Sequence, residues 1–91
     1  MKFFKLYRRR GFAETMEVLE QFPKKEAPQG VFFAELKNRN SYPNTFFRVK
    51  QDLLSEKLIA YKLNKENDKV IYLTIKGLKV MAKIREIEEL L

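Results

Sequence analysis

The side chains best equipped for recognition chemistry crowd into one stretch, SYPNTFFRVKQDLLSEKLIAY, from Ser41 to Tyr61. At helical spacing Phe46, Val49, Leu53 and Leu54 fall on one side, and Ser41, Asn44, Thr45, Arg48, Lys50 and Gln51 on the other. Amide, hydroxyl, guanidinium and ammonium groups on one face form directional hydrogen bonds and attract anions. Catalysis asks for other groups. The chain has no histidine and no cysteine, which removes the commonest general base, the thiolate nucleophile and every Ser-His-Asp or Cys-His arrangement. The same absence removes the usual zinc ligands, and no carboxylate pair is indicated around Asp52 or Asp68. The expectation is a recognition protein and not an enzyme, with no metal and no cofactor.

Ninety-one residues make one domain with a small core. So short a chain is marginal alone, and without cysteine no disulfide can staple it, so a partner subunit is expected to help. The formal charge of +7 favours polyanions: nucleic acid first, an anionic membrane second, an acidic protein third. The plainer reading is a soluble protein that happens to be basic. No apolar run approaches the ~20 residues that cross a bilayer. MKFFKLYRRR is broken by Lys5 and ends in arginines, unlike a signal peptide. A cytoplasmic location is expected, in a prokaryotic cell or in a host cell if the source is viral.

The elements that must position the polar face can be read in order. Residues 1–11 form a basic arm, with room for a short extended or helical portion, ending at Gly11. FAETMEVLEQF places Phe12, Met16, Leu19 and Phe22 on one helical face, and Pro23 closes it. PKKEAPQG reads as a loop. VFFAELKNR is a short helix with Phe33 and Leu36 inward, and Phe32 a candidate to join them. After the polar turn NRNS, Tyr42 is extended because it precedes Pro43, which opens the next helix, with Ser41 placed to cap it. LIAYKL and KVIYLT are strand-like, and NKEND suits the tip of a hairpin between them. The last helix spans 75–91, capped by Thr74. Gly77 in its first turn costs about 1 kcal/mol relative to alanine, which implies a close-packing reason for it.

Three local patterns in this order resemble the winged helix-turn-helix regulators of bacteria, archaea and their viruses, nearest the MarR-like and HxlR-like groups. FFAELKN resembles the helix beneath the recognition helix. FFRVKQDLLSEKLI resembles the end of a recognition helix, with Lys57 where those families usually carry glycine. VIYLTIKGLKVM resembles the return strand of the wing running into the final helix. The resemblance covers roughly residues 12 to 85. It implies a mainly α, α+β fold: a three-helix core with a two-stranded β wing over 12–74, and a C-terminal dimerisation helix over 75–91.

In such a fold the second helix of the pair enters the major groove and its N-terminal residues face base edges. The resemblance therefore implies roles for the polar face. Asn44 can pair with adenine and Arg48 with guanine. Thr45 can bond a phosphate or touch a thymine methyl, Ser41 and Tyr42 suit phosphate, and Lys50 and Gln51 reach the backbone or the groove edge. Simpler roles stand beside these: Ser41 as a cap, Asn44 as a helix-start residue, Arg48 in a surface ion pair with Asp52. Phe47 lies off the inward line, so it either packs under the wing or meets thymine methyls, with core preferred. The wing offers Asn64, Lys65, Asn67 and Lys69 to a neighbouring groove, or is only a solvated hairpin. Arg8, Arg9 and Arg10 form a minor-groove arm or a tail that adds affinity without reading sequence.

Val80, Ile84, Ile87 and Leu91 make a heptad-like seam on the last helix, expected to pair two copies, or else to fold across its own domain. The expected function is a sequence-specific double-stranded DNA-binding regulator, a homodimer on a palindromic operator, with no small-molecule ligand and no membrane partner evident. The alternatives are a winged-helix module for protein–protein contact in transcription or replication machinery, which would use Tyr42, Phe47 and Tyr61, and single-strand or RNA binding.

Overall fold

Gly11 sets the first boundary. Its φ of 100° is a left-handed conformation open to glycine, and a Cβ there would stand 2.6 Å from the Thr45 carbonyl oxygen. The glycine lets two helices meet at a sharp corner: α1 (Lys2–Arg8) and α2 (Phe12–Gln21). The Glu14 carboxylate accepts from the Gly11 N–H at 3.1 Å, satisfying one of the donors that a helix start leaves open. These features come from a computed structural model that describes residues 2–39 and 43–91.

The basic N-terminal segment takes the helical option for the arm and docks on the body of the domain. Leu6 is buried, Phe3 meets the Phe12 ring edge-on at 6.2 Å, and Tyr7 lies 5.6 Å from the same ring. The apolar residues interleaved with its cations supply the packing face. α2 buries Phe12, Met16, Val18 and Leu19, while Phe22 is half-buried at the helix end that Pro23 enforces.

The expected loop PKKEAPQG contains a 3₁₀ turn, Pro23–Lys25, and a short strand β1, Glu26–Pro28. This strand adds to the hairpin of β2 (Ile59–Leu63) and β3 (Lys69–Leu73), giving a three-stranded antiparallel sheet in the order β1-β3-β2. Ala27 pairs with Ile71 and is buried. Lys62 spans the middle strand: its ammonium sits 5.4 Å from the Tyr72 ring centre and bonds Glu26 at 2.8 Å.

α3 (Gln29–Asn38) and α4 (Pro43–Ser55) are the helix pair. In α3 Phe32 and Leu36 are fully buried and Phe33 is half-buried against the same core, so Phe32, the candidate to join the inward face, is the deeper of the two phenylalanines. Phe32 packs edge-on against Phe46 of α4 with ring centres 5.2 Å apart. In α4 the expected line of Phe46, Val49 and Leu53 is fully buried, with Leu54 half-buried beside it.

The last element, α5 (Ile75–Leu90), is capped as expected: the Thr74 hydroxyl accepts from the Gly77 N–H at 2.9 Å. It also donates to the Lys57 carbonyl at 2.5 Å. Gly77 has its packing reason, because a Cβ there would stand 2.2 Å from the Leu58 carbonyl oxygen. The inward face of α5 is Gly77, Met81 and Ile84. Ile84 therefore belongs to the domain's own core, which corrects its place in the pairing seam. Val80 is half-buried, Ile87 half exposed, and Leu90 and Leu91 stand in solvent.

Candidate nucleic-acid interface

Burial of Phe46, Val49 and Leu53 turns the opposite side of α4 outward. Asn44, Phe47, Arg48 and Gln51 are all exposed on it, one turn after another. Among the described residues, the side chains of Asn44, Arg48 and Gln51 make no hydrogen bond, and no ion pair involves Arg48. The expected Arg48–Asp52 pair is absent because Arg9 takes Asp52: its guanidinium donates to the Asp52 carboxylate and, at 2.6 Å, to the Arg48 carbonyl oxygen. Arg9 clamps the back of α4 and leaves the Arg48 guanidinium without a competitor. An exposed pair of this kind is worth only ~0–1 kcal/mol, so its effect is chiefly on direction.

Two assigned side chains are otherwise committed. The Thr45 methyl packs where α2 begins, 2.8 Å from the point a Gly11 Cβ would occupy, so Thr45 faces the α1–α2 corner and not the open side of α4. The reader roles given to it are corrected accordingly. Lys50 is half-buried, its ammonium 5.3 Å from the Tyr61 ring centre and 5.8 Å from that of Phe47. It ties α4 to the wing. Ser41 and Tyr42 lie outside the described residues.

Phe47 corrects the preference for core. It is 49% exposed, meeting Phe33 edge-on at 5.6 Å and Phe46 at the same distance. The signal was present in the sequence, since Phe47 is out of step with Phe46, Val49 and Leu53. Tyr61 and Gln29 were not assigned to the DNA site. The Gln29 amide donates to the Tyr61 hydroxyl at 3.4 Å, and the Lys69 ammonium lies 5.4 Å from the Tyr61 ring centre. Burial pushes the Tyr61 phenol above its ordinary value, so it stays neutral. Lys50 and Lys69 thus join helix and wing through one aromatic ring.

In the wing the two asparagines build the turn. Asn64 Oδ1 accepts from the backbone N–H groups of Glu66 and Asp68, both at 2.9 Å, and Asn67 holds a left-handed φ of 63°, a conformation asparagine tolerates. Their assignment as DNA contacts is corrected for the Asn64 side-chain oxygen, which the hairpin consumes. Lys65 and Lys69 are exposed. The arginine triplet divides as well: Arg9 is held on α4, the Arg8 guanidinium donates to the Phe4 carbonyl at 3.3 Å, and Arg10 is exposed.

Lys57 resolves the departure noted in the helix-end pattern. It adopts the left-handed φ of 60° usually given to glycine. The N–H of Leu58 bonds the Leu53 carbonyl and the N–H of Lys57 bonds the Leu54 carbonyl, each at 3.0 Å. That is a Schellman close of α4.

A helix pair with an outward second helix, followed by a hairpin and a terminal helix, defines a winged helix-turn-helix fold. A solved structure of a PadR-family transcriptional regulator from Eggerthella lenta shares it, with a TM-score of 0.64 over 98% of this chain and 79% of that one. The two sequences are 22% identical. No family model matches the chain, and no curated protein does. Among the described residues no helix is long and apolar enough to cross a membrane, and no cluster of acidic side chains could hold a metal ion.

Proposed function

We propose that the chain is a sequence-specific double-stranded DNA-binding protein and acts as a transcriptional regulator. The observation that carries this is the outward half of α4, where Asn44, Arg48 and Gln51 have no partner among the described residues. Those groups match the donor and acceptor pattern of base edges in a groove that admits one helix. The +7 charge supplies the sequence-independent part of the affinity. Lys50, Lys65 and Lys69 extend the cationic surface from helix to wing. Arg10 and Arg8 lie at the α1–α2 corner as phosphate contacts, with Arg9 positioning α4 from behind. The transcriptional role of the PadR-family neighbour supports the same reading. The tie to MarR-like or HxlR-like groups rests on the three local sequence patterns alone.

The protein acts as a homodimer on a palindromic site in this reading. Val80, Ile87 and Leu91 are its contacts, joined by Leu90. Beside them runs a groove of about 610 Å³ where α1, α4 and α5 meet, with an apolar floor of Phe3, Leu6, Leu58 and Val80 and a charged rim that includes Lys5, Arg9, Asp52, Glu56 and Lys76. Full burial of each such apolar side chain contributes roughly 1.5–3 kcal/mol, enough for a few of them to hold two small domains together. Two-fold pairing would set the recognition helices about 34 Å apart.

Phe47 favours a second reading, a protein-interaction module, since an exposed aromatic suits such a surface. A salt titration separates the two. Duplex binding through Z phosphates should weaken with a log–log slope near about −0.9Z. Lys65→Ala should weaken specific and random duplexes alike and reduce that slope by about 0.9. Negligible duplex affinity at about 0.15 M salt, where non-specific binders still show Kd values of order 10⁻⁴–10⁻⁶ M, favours the interaction module instead.

A further inference from the structure

Phe47 stands at the centre of an otherwise polar face, and neither folding nor pairing of subunits explains it. Half of it remains in solvent, so it adds little to the core. Of the other exposed apolar groups, Phe4 belongs to α1, Ile75, Ile87 and Leu90 to α5, Val31 to α3 and Leu63 to β2, so none of these shares the face of α4. Ile87 lines a groove that Phe47 does not. A single surface phenylalanine needs no explanation in general. This one is braced: Phe32 and Phe46 are buried, Phe33 leans on Phe46 at 5.8 Å, and Phe47 meets both Phe33 and Phe46 at 5.6 Å. The Lys50 ammonium steadies its other side at 5.8 Å. An aromatic ladder rooted in the core therefore holds one ring outward between Asn44, Arg48 and Gln51.

Resting on the DNA-binding reading, we propose that Phe47 is a specificity-determining residue that reads a thymine through its C5-methyl group. That methyl is the apolar group a base pair presents in the major groove, and the flanking amides and guanidinium are built for the polar remainder. The pre-set ring has only two side-chain torsions to fix on contact, so little ordering is lost.

The test uses a duplex selected by the full-length protein from a random pool, with each thymine replaced in turn by deoxyuridine, which lacks only the methyl. The wild-type protein should lose about three- to fivefold in affinity at one position per half-site, the worth of one buried methyl. Phe47→Ala should bind the thymine and uracil duplexes equally at that position while retaining the preferences set by Arg48. Its thermal midpoint, read alongside, should fall by about 4–8 °C at most, because half of the ring is in solvent. Uniform tolerance of uracil by the wild-type protein would overturn the role of Phe47 and leave sequence-specific binding intact, and so would a Phe47→Ala protein that still discriminates. If the pool yields no enriched duplex at all, the DNA-binding reading itself fails and takes this one with it.

Discussion

The two ends of α4 contrast in how their polar groups are used. At the C-terminal end the backbone is tied down by hydrogen bonds and close packing. The backbone of Lys57 and Leu58 closes the helix onto Leu53 and Leu54, the Thr74 hydroxyl and the Lys76 ammonium bond the carbonyls of Lys57 and Glu56 at 2.5 and 2.7 Å, and Gly77 presses on Leu58. In the N-terminal half, Asn44, Arg48 and Gln51 face solvent with no partner among the described residues. Exposed groups of this kind are solvated in the free protein and open to a partner, and binding residues are commonly carried on the surface of a rigid scaffold. The buried end supplies stiffness and the open end supplies contacts.

The contrast can be broken from its closed end first. Gly77→Ala should give the largest effect, because its methyl would collide with backbone and not with a movable side chain. A loss of about 3 kcal/mol or more is expected, read as a fall of roughly 12–24 °C in thermal midpoint for a domain of this size. An alanine variant that melts like wild type would show that the wing root is loose.

Arg48→Ala should do the reverse. Its specific duplex affinity should drop by about 10- to 100-fold, the worth of one good bidentate base contact, with stability unchanged within about 0.5 kcal/mol. Equal losses on specific and random duplexes would make Arg48 a phosphate contact.

Lys57→Gly sharpens the contrast gently. Removing a Cβ from a left-handed position should raise stability by about 0.5–1 kcal/mol, the strain relieved less the added freedom of the unfolded glycine. Chemical denaturation would resolve it, and a destabilised glycine variant would argue that the lysine stem packs usefully.

Much of this was legible in the sequence because it follows from short-range rules. The Phe46–Val49–Leu53 line, the Thr74 cap and the strand pair each depend on residues close to one another in the chain, and Gly77 announced a close contact although its partner, Leu58, lies in a distant segment. What was missed depends on distant partners. β1 exists only because β3 offers it an edge, and EAP carries no strand signal of its own. Arg9 engages Asp52 across the fold, which fixes α1 in place and frees Arg48, and nothing local reveals that choice. Ile84 fits a heptad seam as well as it fits the core, since periodicity names a buried face but not its partner. Asn64 and Asn67 were read as contacts because their composition suits both a DNA site and a tight turn.

The central claim is that the outward N-terminal half of α4 meets a DNA duplex while the closed end does not. An amide-resolved NMR titration of the full-length protein with a duplex selected from a random pool tests it most directly. The account predicts perturbations gathered at Asn44, Phe47, Arg48 and Gln51, with a second group in the wing at Lys65 and Lys69, while Lys57 and Leu58 stay still. Perturbations confined to α1 and α5, with the open half of α4 silent, would contradict it.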